Sequence, residues 1–295
     1  MPETDIARIL ILAQTSPNFS KKYTETVCTA GLRLMPDSSY SWIRLYPIQK
    51  RQMAENQKYR KFQWITCRLE NPDRNSDKRP ESYKVFMDTI TRGDPIDFKT
   101  KREAKGEVRR SFLLEQAKIP VFTNKQRILD AAAANEFSLC LFKPARVVKF
   151  FAVPQSTQFT QEEQEIIRNA REQHFLIDLY DSSKLFFKKL PFRFKCEFED
   201  DEAASSSLSI LDWEISSRLR HDLKSEPTTA AAADATIRHY WELCDKWEPY
   251  FVLGTRHHQH NMLLASPTSG VNPWSIISVI FLSKPGALTQ GRFNF

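Results

Sequence analysis

A chain of 295 residues with 41% hydrophobic side chains is long enough for two ordinary domains and apolar enough to bury a core, which excludes a disordered polymer. Twenty-one Phe against seven Gly favours packed sheets over phosphate cradles built from glycine loops. The net charge of +7 is lopsided: residues 1–150 carry 28 Lys and Arg against 17 Asp and Glu, whereas residues 151–295 carry 15 against 19, so the first half is expected to meet a polyanion.

The chain opens on short β-branched and aromatic runs, Arg8 to Gln14, Glu25 to Leu32 and Trp42 to Tyr46, punctuated by Pro, Asn, Ser and Asp. Such runs are too short for globular helices and predict a β meander. The segment from Gln49 to Lys61 is polar and helix-compatible. Gln63 to Leu69 and Pro80 to Ile90 read as further strands around a turn-rich loop, Asn71 to Arg79. Four or five short strands in ninety residues predict an OB-like or related small β-barrel. Asp97 to Arg110 reads as a charged helix start, continuing into SFLLEQA, and Asn124 to Asn135 as a short helix. Phe137 to Val153, broken at Lys143-Pro144, is expected to close this barrel. Thr160 is a helix N-cap, and the boundary between two domains, 1–155 and 156–295, is placed beside it.

The second lobe is expected to be mixed α/β, which makes the whole chain β-rich α+β. Pro191 to Glu199 alternates Phe with charge, as a half-buried strand does. Helices are expected in the later part of Leu208 to Leu223 and over Ala235 to Trp247. Tyr250 to Gly254 and Trp274 to Leu282 read as strands flanking a loop that holds Arg256, His257, His258 and His260. Those histidines lack a companion Cys or carboxylate at ligand spacing, so no metal site is expected.

Five Cys without a CxxC pair fit free thiols in a reducing cytosol. The start Met-Pro-Glu-Thr-Asp has no signal-peptide character, and the longest apolar run is about half a membrane span. A cytoplasmic protein without cofactor or membrane contact is expected. GxGxxG, P-loop, HExxH and GxSxG motifs are absent, so no common nucleotide or hydrolase chemistry has local support.

By alternation Trp42, Arg44 and Tyr46 share one strand face and Ile43 and Leu45 the other. An outward Trp/Arg/Tyr stripe suits nucleic acid, because every base has a π face and every nucleotide a charge. The candidate binding residues are therefore Lys21, Lys22, Arg44, Arg60 and Lys61 for phosphates, with Tyr23, Trp42 and Tyr46 for stacking. Core packing of Trp42 is the competing reading. Cys28 is the candidate nucleophile, set against the reading of a structural thiol, and it stands close to Gly31, which permits near backbone approach.

The segments KKYTETVCTAG and SWIRLYPI, with Cys196, LDWE at Leu211 to Glu214 and FVLGT at Phe251 to Thr255, resemble bacterial dual-OB-like proteins whose genes lie in mobile defence or DNA base-modification clusters. The resemblance implies a nucleic-acid context, DNA rather than RNA, with other proteins of the same pathway as partners. It also raises an alternative: an enzyme acting on a modified, 7-deazaguanine-type base held against Trp42, with Cys28 as nucleophile and Glu25 or Asp212 moving protons. The acidic loop Glu199 to Ser207 stands where that group would carry a second Cys and a His. A scaffold whose basic surface only solubilises is the third reading.

Overall fold

The computed structural model describes residues 5–20, 24–50, 53–70, 77–101, 104–174 and 188–284. The first sheet comprises β1 (Asp5–Gln14), β2 (Asn18–Ser20), β3 (Thr24–Leu34), β4 (Tyr40–Ile48), β5 (Gln63–Leu69), β6 (Ser82–Tyr83) and β7 (Val85–Pro95). Its order is β6-β4-β3-β1-β5-β7, with β2 on β3. Only Lys84 separates β6, which runs parallel to β4, from β7, which runs antiparallel to β5. The segment from Ser82 to Pro95 thus pairs with both free edges and curls the sheet into a barrel.

The chain then forms α1 (Lys105–Arg110), which widens into a π turn over Ser111–Gln116. There follow β8 (Val121–Phe122), α2 (Lys125–Ala133), β9 (Leu139–Phe142), β10 (Arg146–Pro154), α3 (Gln161–His174), β11 (Phe192–Glu199), β12 (Ser205–Ile210), α4 (Trp213–Ser225), α5 (Thr229–Lys246), β13 (Glu248–Thr255), α6 (His257–Ala265) and β14 (Trp274–Leu282). The second sheet is ordered β10-β11-β12-β14-β13-β9-β8. Because β9 and β10 are separated only by residues 143–145, one nearly continuous strand pairs with β11 at one end and β13 at the other. The second sheet therefore repeats the ring order of the first, down to a parallel contact between its third and fifth strands, β12 and β14. Both sheets are mixed and the protein is β-rich α+β. Among the described residues, no helix is long and apolar enough to cross a membrane.

Three apolar layers hold the halves. Ile9, Ile11, Ile43, Leu45 and Ile65 fill the first barrel. Cys140, Phe142, Phe150, Phe198, Phe251 and Ile276 lie between the second sheet and its helices. The middle layer joins Leu10, Leu12, Ala30 and Leu32 of the first sheet to Leu139, Leu141, Tyr250, Val252 and Ile277 of the second. Strands β1, β9, β13 and β14 are therefore covered on both faces, which is why they read as unbroken apolar runs rather than alternations. Gly31 belongs to this tight stacking: a Cβ there would sit 2.1 Å from the Leu10 carbonyl oxygen.

Several sequence expectations change. The strands of Phe137 to Val153 do not close the first barrel; they enter the second sheet, because Cys140, Phe142 and Phe150 fill its core. The change of sheet falls between Pro95 and Val121 rather than near residue 155. The polar segment before Phe62 forms turns, not a helix, since its buried residues Met53 and Tyr59 do not follow a helical period. The His-rich stretch is α6 and not a loop. At the end of the charged helix start, Arg109 and Arg110 are internal ties, pairing with Asp97 at 2.7 Å and Glu248 at 2.9 Å.

Candidate nucleic-acid interface

A cleft of about 470 Å³ opens where the halves meet. The first half contributes Gln14, Lys50, Tyr59, Arg60 and Lys61, and the second contributes Asp212 and one face of α4 from Trp213 to His221. Asp212 is placed by its role as N-cap: Oδ1 accepts from the Glu214 backbone N–H at 2.9 Å, satisfying a donor the helix leaves open. Its Oδ2 accepts from the Val279 N–H at 2.9 Å and from Lys61 Nζ at 3.0 Å.

Lys61 forms the floor. Its ammonium also reaches Glu214 Oε2 at 2.7 Å, the Ser278 hydroxyl at 2.8 Å and the Val279 carbonyl at 3.1 Å. Burial works against the charge, but Asp212 and Glu214 outweigh it and hold the ammonium above its usual range. Lys61 ties the halves together and has no donor to spare for a phosphate.

Lys50 and Arg60 differ from it. Lys50 Nζ donates to Gln14 Oε1 and lies 5.9 Å from the Tyr59 ring centroid and 5.5 Å from that of Trp213. Burial, then the charge of Lys58, lowers its pKa to about 8. The Arg60 side chain is exposed, and no carboxylate among the described residues forms an ion pair with it. Arg218, on the α4 wall, pairs with Asp222 at 2.9 Å, and Arg220 stacks 4.9 Å from the Trp213 ring centroid.

The predicted outward stripe on β4 is overturned. Trp42 and Arg44 do lie opposite Ile43 and Leu45, but the face they share is covered by the second half. Trp42 packs on the middle apolar layer, and Arg44 is 1% exposed. Arg44 Nη2 donates to the Ser138 carbonyl at 2.9 Å and its hydroxyl at 3.0 Å, while Nη1 lies 3.6 Å from Cys28 Sγ. Burial, then neighbouring Arg79, lowers the Arg44 pKa. Such an arginine clamps two strands and cannot reach a phosphate. Tyr46 is half-buried, its hydroxyl 3.5 Å from that of Thr26. Lys21, Lys22 and Tyr23 lie outside the described residues, as does the side chain of Glu25.

Of the catalytic candidates, Asp212 serves as a structural acceptor for three donors, the Glu214 and Val279 N–H groups and the Lys61 ammonium, and the Cys28 thiol lies beside the Arg44 guanidinium. His260 is fully buried, with Nε2 2.9 Å from Asn135 Oδ1, and burial followed by Arg79 and Arg44 lowers its pKa to about 4. It is a neutral packing residue.

Of the residues singled out from sequence as phosphate ligands, Arg60 and Lys61 line the cleft, Lys61 as a tie between the halves, while Lys50, Tyr59 and Trp213 line it without having been named as candidates. The signal for Trp213 was present: an Asp immediately before an apolar helical period marks the entrance of α4, and a helix entrance is where the cleft lies.

Residues 122–293, more than half of the chain, match the family model described as "Domain of unknown function (DUF8757)". The chain belongs to that family. Residues 5–113 match a second model, "Domain of unknown function (DUF8758)", and the two matches divide the chain where the sheets change. No curated protein matches the chain. Among solved structures it is similar to a chain in "Structure and Conformational Change of a Replication Protein A Heterotrimer Bound to ssDNA", at 8% identity and a TM-score of 0.32, over 86% of this chain and 45% of that one. A likeness of that size does not establish a shared fold.

Proposed function

We propose that the chain is a nucleic-acid-binding protein built from two OB-like barrels, and that the cleft between them holds the phosphate backbone. Support for the barrel reading is the ring order, first-second-third-fifth-fourth, that both sheets follow, with the third and fifth strands parallel. The observation that carries the binding reading is the pair Lys50 and Arg60: two cations on one cleft wall, beside Tyr59 and Trp213, without a carboxylate ion-pair partner among the described residues. Cations not neutralised internally remain available to displace counterions from phosphates. Lys61, saturated within the protein, serves as scaffold.

Fluorescence anisotropy with DNA and RNA oligonucleotides across a salt series tests this. The wild-type affinity is expected to fall steeply with salt. The charge-reversed pair Lys50→Glu and Arg60→Glu is expected to weaken binding and flatten the log–log salt slope by about 0.7 per cation for a single strand. Equal binding by wild type and this variant at every salt concentration would remove the cleft from consideration.

A further inference from the structure

The two barrels differ in what covers the outer face of their second and third strands. In the first barrel this face, with Leu32 on β3 and Trp42 and Arg44 on β4, is buried beneath the second half. In the second barrel the corresponding strands are β11 and β12. Phe194, Cys196 and Phe198 point into the core there, whereas Arg193, Lys195 and Glu197 alternate outward, and Ser205, Ser207 and Ser209 do the same on β12. None of these six outward residues is buried.

Register extends the face across three strands. Phe151 of β10 stands opposite Lys195, which stands opposite Ser209; Val153 stands opposite Arg193; Lys149 stands opposite Glu197, which stands opposite Ser207. The Phe151 ring is flanked by two ammonium groups, Lys149 Nζ at 5.7 Å and Lys195 Nζ at 6.0 Å from its centroid. At the end of the face Arg146 and Glu199 neutralise each other at 2.5 Å. Among the described residues no carboxylate forms an ion pair with Lys149, Arg193 or Lys195, which leaves three cations against Glu197 on a hydroxyl-lined sheet.

We propose that this β10-β11-β12 face is a second binding surface, and that its occupant is single-stranded nucleic acid. Phe151 offers a half-buried ring on which an unpaired base stacks in place of the two lysine ammonium groups that lie over it. Lys149, Lys195 and Arg193 lie where the adjoining phosphates run, and Ser207 and Ser209 present hydroxyls to base or sugar. A duplex keeps its bases stacked on one another and gains nothing from the ring. The positive balance selects a polyanion, and the ring selects one with exposed π faces. The inference rests on the nucleic-acid reading above but not on the cleft.

The test uses the full chain and a fluorescein-labelled oligothymidylate about 20 nucleotides long, with a duplex of equal length as control. Lys149→Glu with Lys195→Glu is expected to weaken single-strand binding about tenfold. Phe151→Ala is expected to weaken it several-fold while leaving duplex binding unchanged. The melting temperature of each variant is recorded, and Lys195→Ala is a milder variant should Phe151→Ala fail to fold. Retained single-strand affinity in the Lys149/Lys195 variant, with loss only in the Lys50/Arg60 variant, overturns this surface and leaves the cleft standing. No binding by the wild type overturns both. A wild-type dimer that these substitutions dissociate assigns the face to self-association, and so also overturns the proposal.

Discussion

Arg44 Nη2 sits 2.9 Å from the carbonyl oxygen of Ser138 and 3.0 Å from its hydroxyl, so one guanidinium on the first sheet holds the residue that leads into β9 of the second. Glu81 completes the grip by accepting from the Ser138 backbone N–H at 2.9 Å and hydroxyl at 2.6 Å. A buried cation with a forked donor set is needed here, which a lysine cannot supply. Arg44→Met is expected to lower unfolding free energy by about 3 kcal/mol, since it removes the buried charged donor from the Ser138 carbonyl and hydroxyl. Arg44→Lys should recover less than half of that. Urea titration measures both, and oligonucleotide affinity per folded molecule should not change. A selective loss of affinity with native stability would return Arg44 to the binding face.

Binding should also depend on pH through Lys50. Its folded pKa of about 8 lies below the ordinary 10.5, so it loses its charge as pH rises through 8, before most lysines do. Oligonucleotide affinity is expected to drop several-fold between pH 7 and 9, on the order of one phosphate contact. Lys50→Arg, charged throughout, should abolish the drop. Stability moves the other way: between pH 8 and 10.5 the unfolded chain binds the extra proton, so the fold gains slightly as pH rises. An identical pH profile in wild type and Lys50→Arg would contradict this assignment.

The Lys61 and Asp212 pair is a tie between halves, and a double-mutant cycle can measure it. Asp212→Asn keeps a capping oxygen but removes the charge; Lys61→Met removes the cation. Each is expected to destabilise by about 2 kcal/mol or more, with a coupling energy of about 1 kcal/mol or more when combined. Strict additivity would mean that the two side chains act independently.

Acid sensitivity should trace to His260. With a folded pKa of about 4 against an ordinary value of 6.5, the unfolded chain takes up a proton between these limits that the folded chain refuses. Stability is therefore lost as pH falls through that window, by about 2 kcal/mol between pH 7 and 5. Asp77 does not contribute there: burial opposes its charge, but Arg79 prevails and holds its pKa at about 2. His260→Gln, which keeps a polar atom for Asn135, should flatten the dependence of the urea midpoint on pH. A variant as acid-sensitive as wild type would place the effect elsewhere.

Local pattern alone determined much of this protein. The strands of the opening meander, the alternation that puts Trp42 and Arg44 opposite Ile43 and Leu45, and the cationic bias of the first half follow from side-chain period, turn chemistry and charge, all of which act over a few residues. Tertiary structure decided whether an outward face meets water or another sheet. Arg44 looks like a phosphate ligand in sequence and becomes a buried clamp, because the partner that covers it, Ser138 on the second sheet, lies 94 positions away. Lys61 changes in the same way through Asp212, 151 positions along the chain. Alternation reports that two residues lie on opposite faces of a strand, but only long-range packing sets the dielectric on each side, and the dielectric decides whether a cation binds a ligand or holds the fold together.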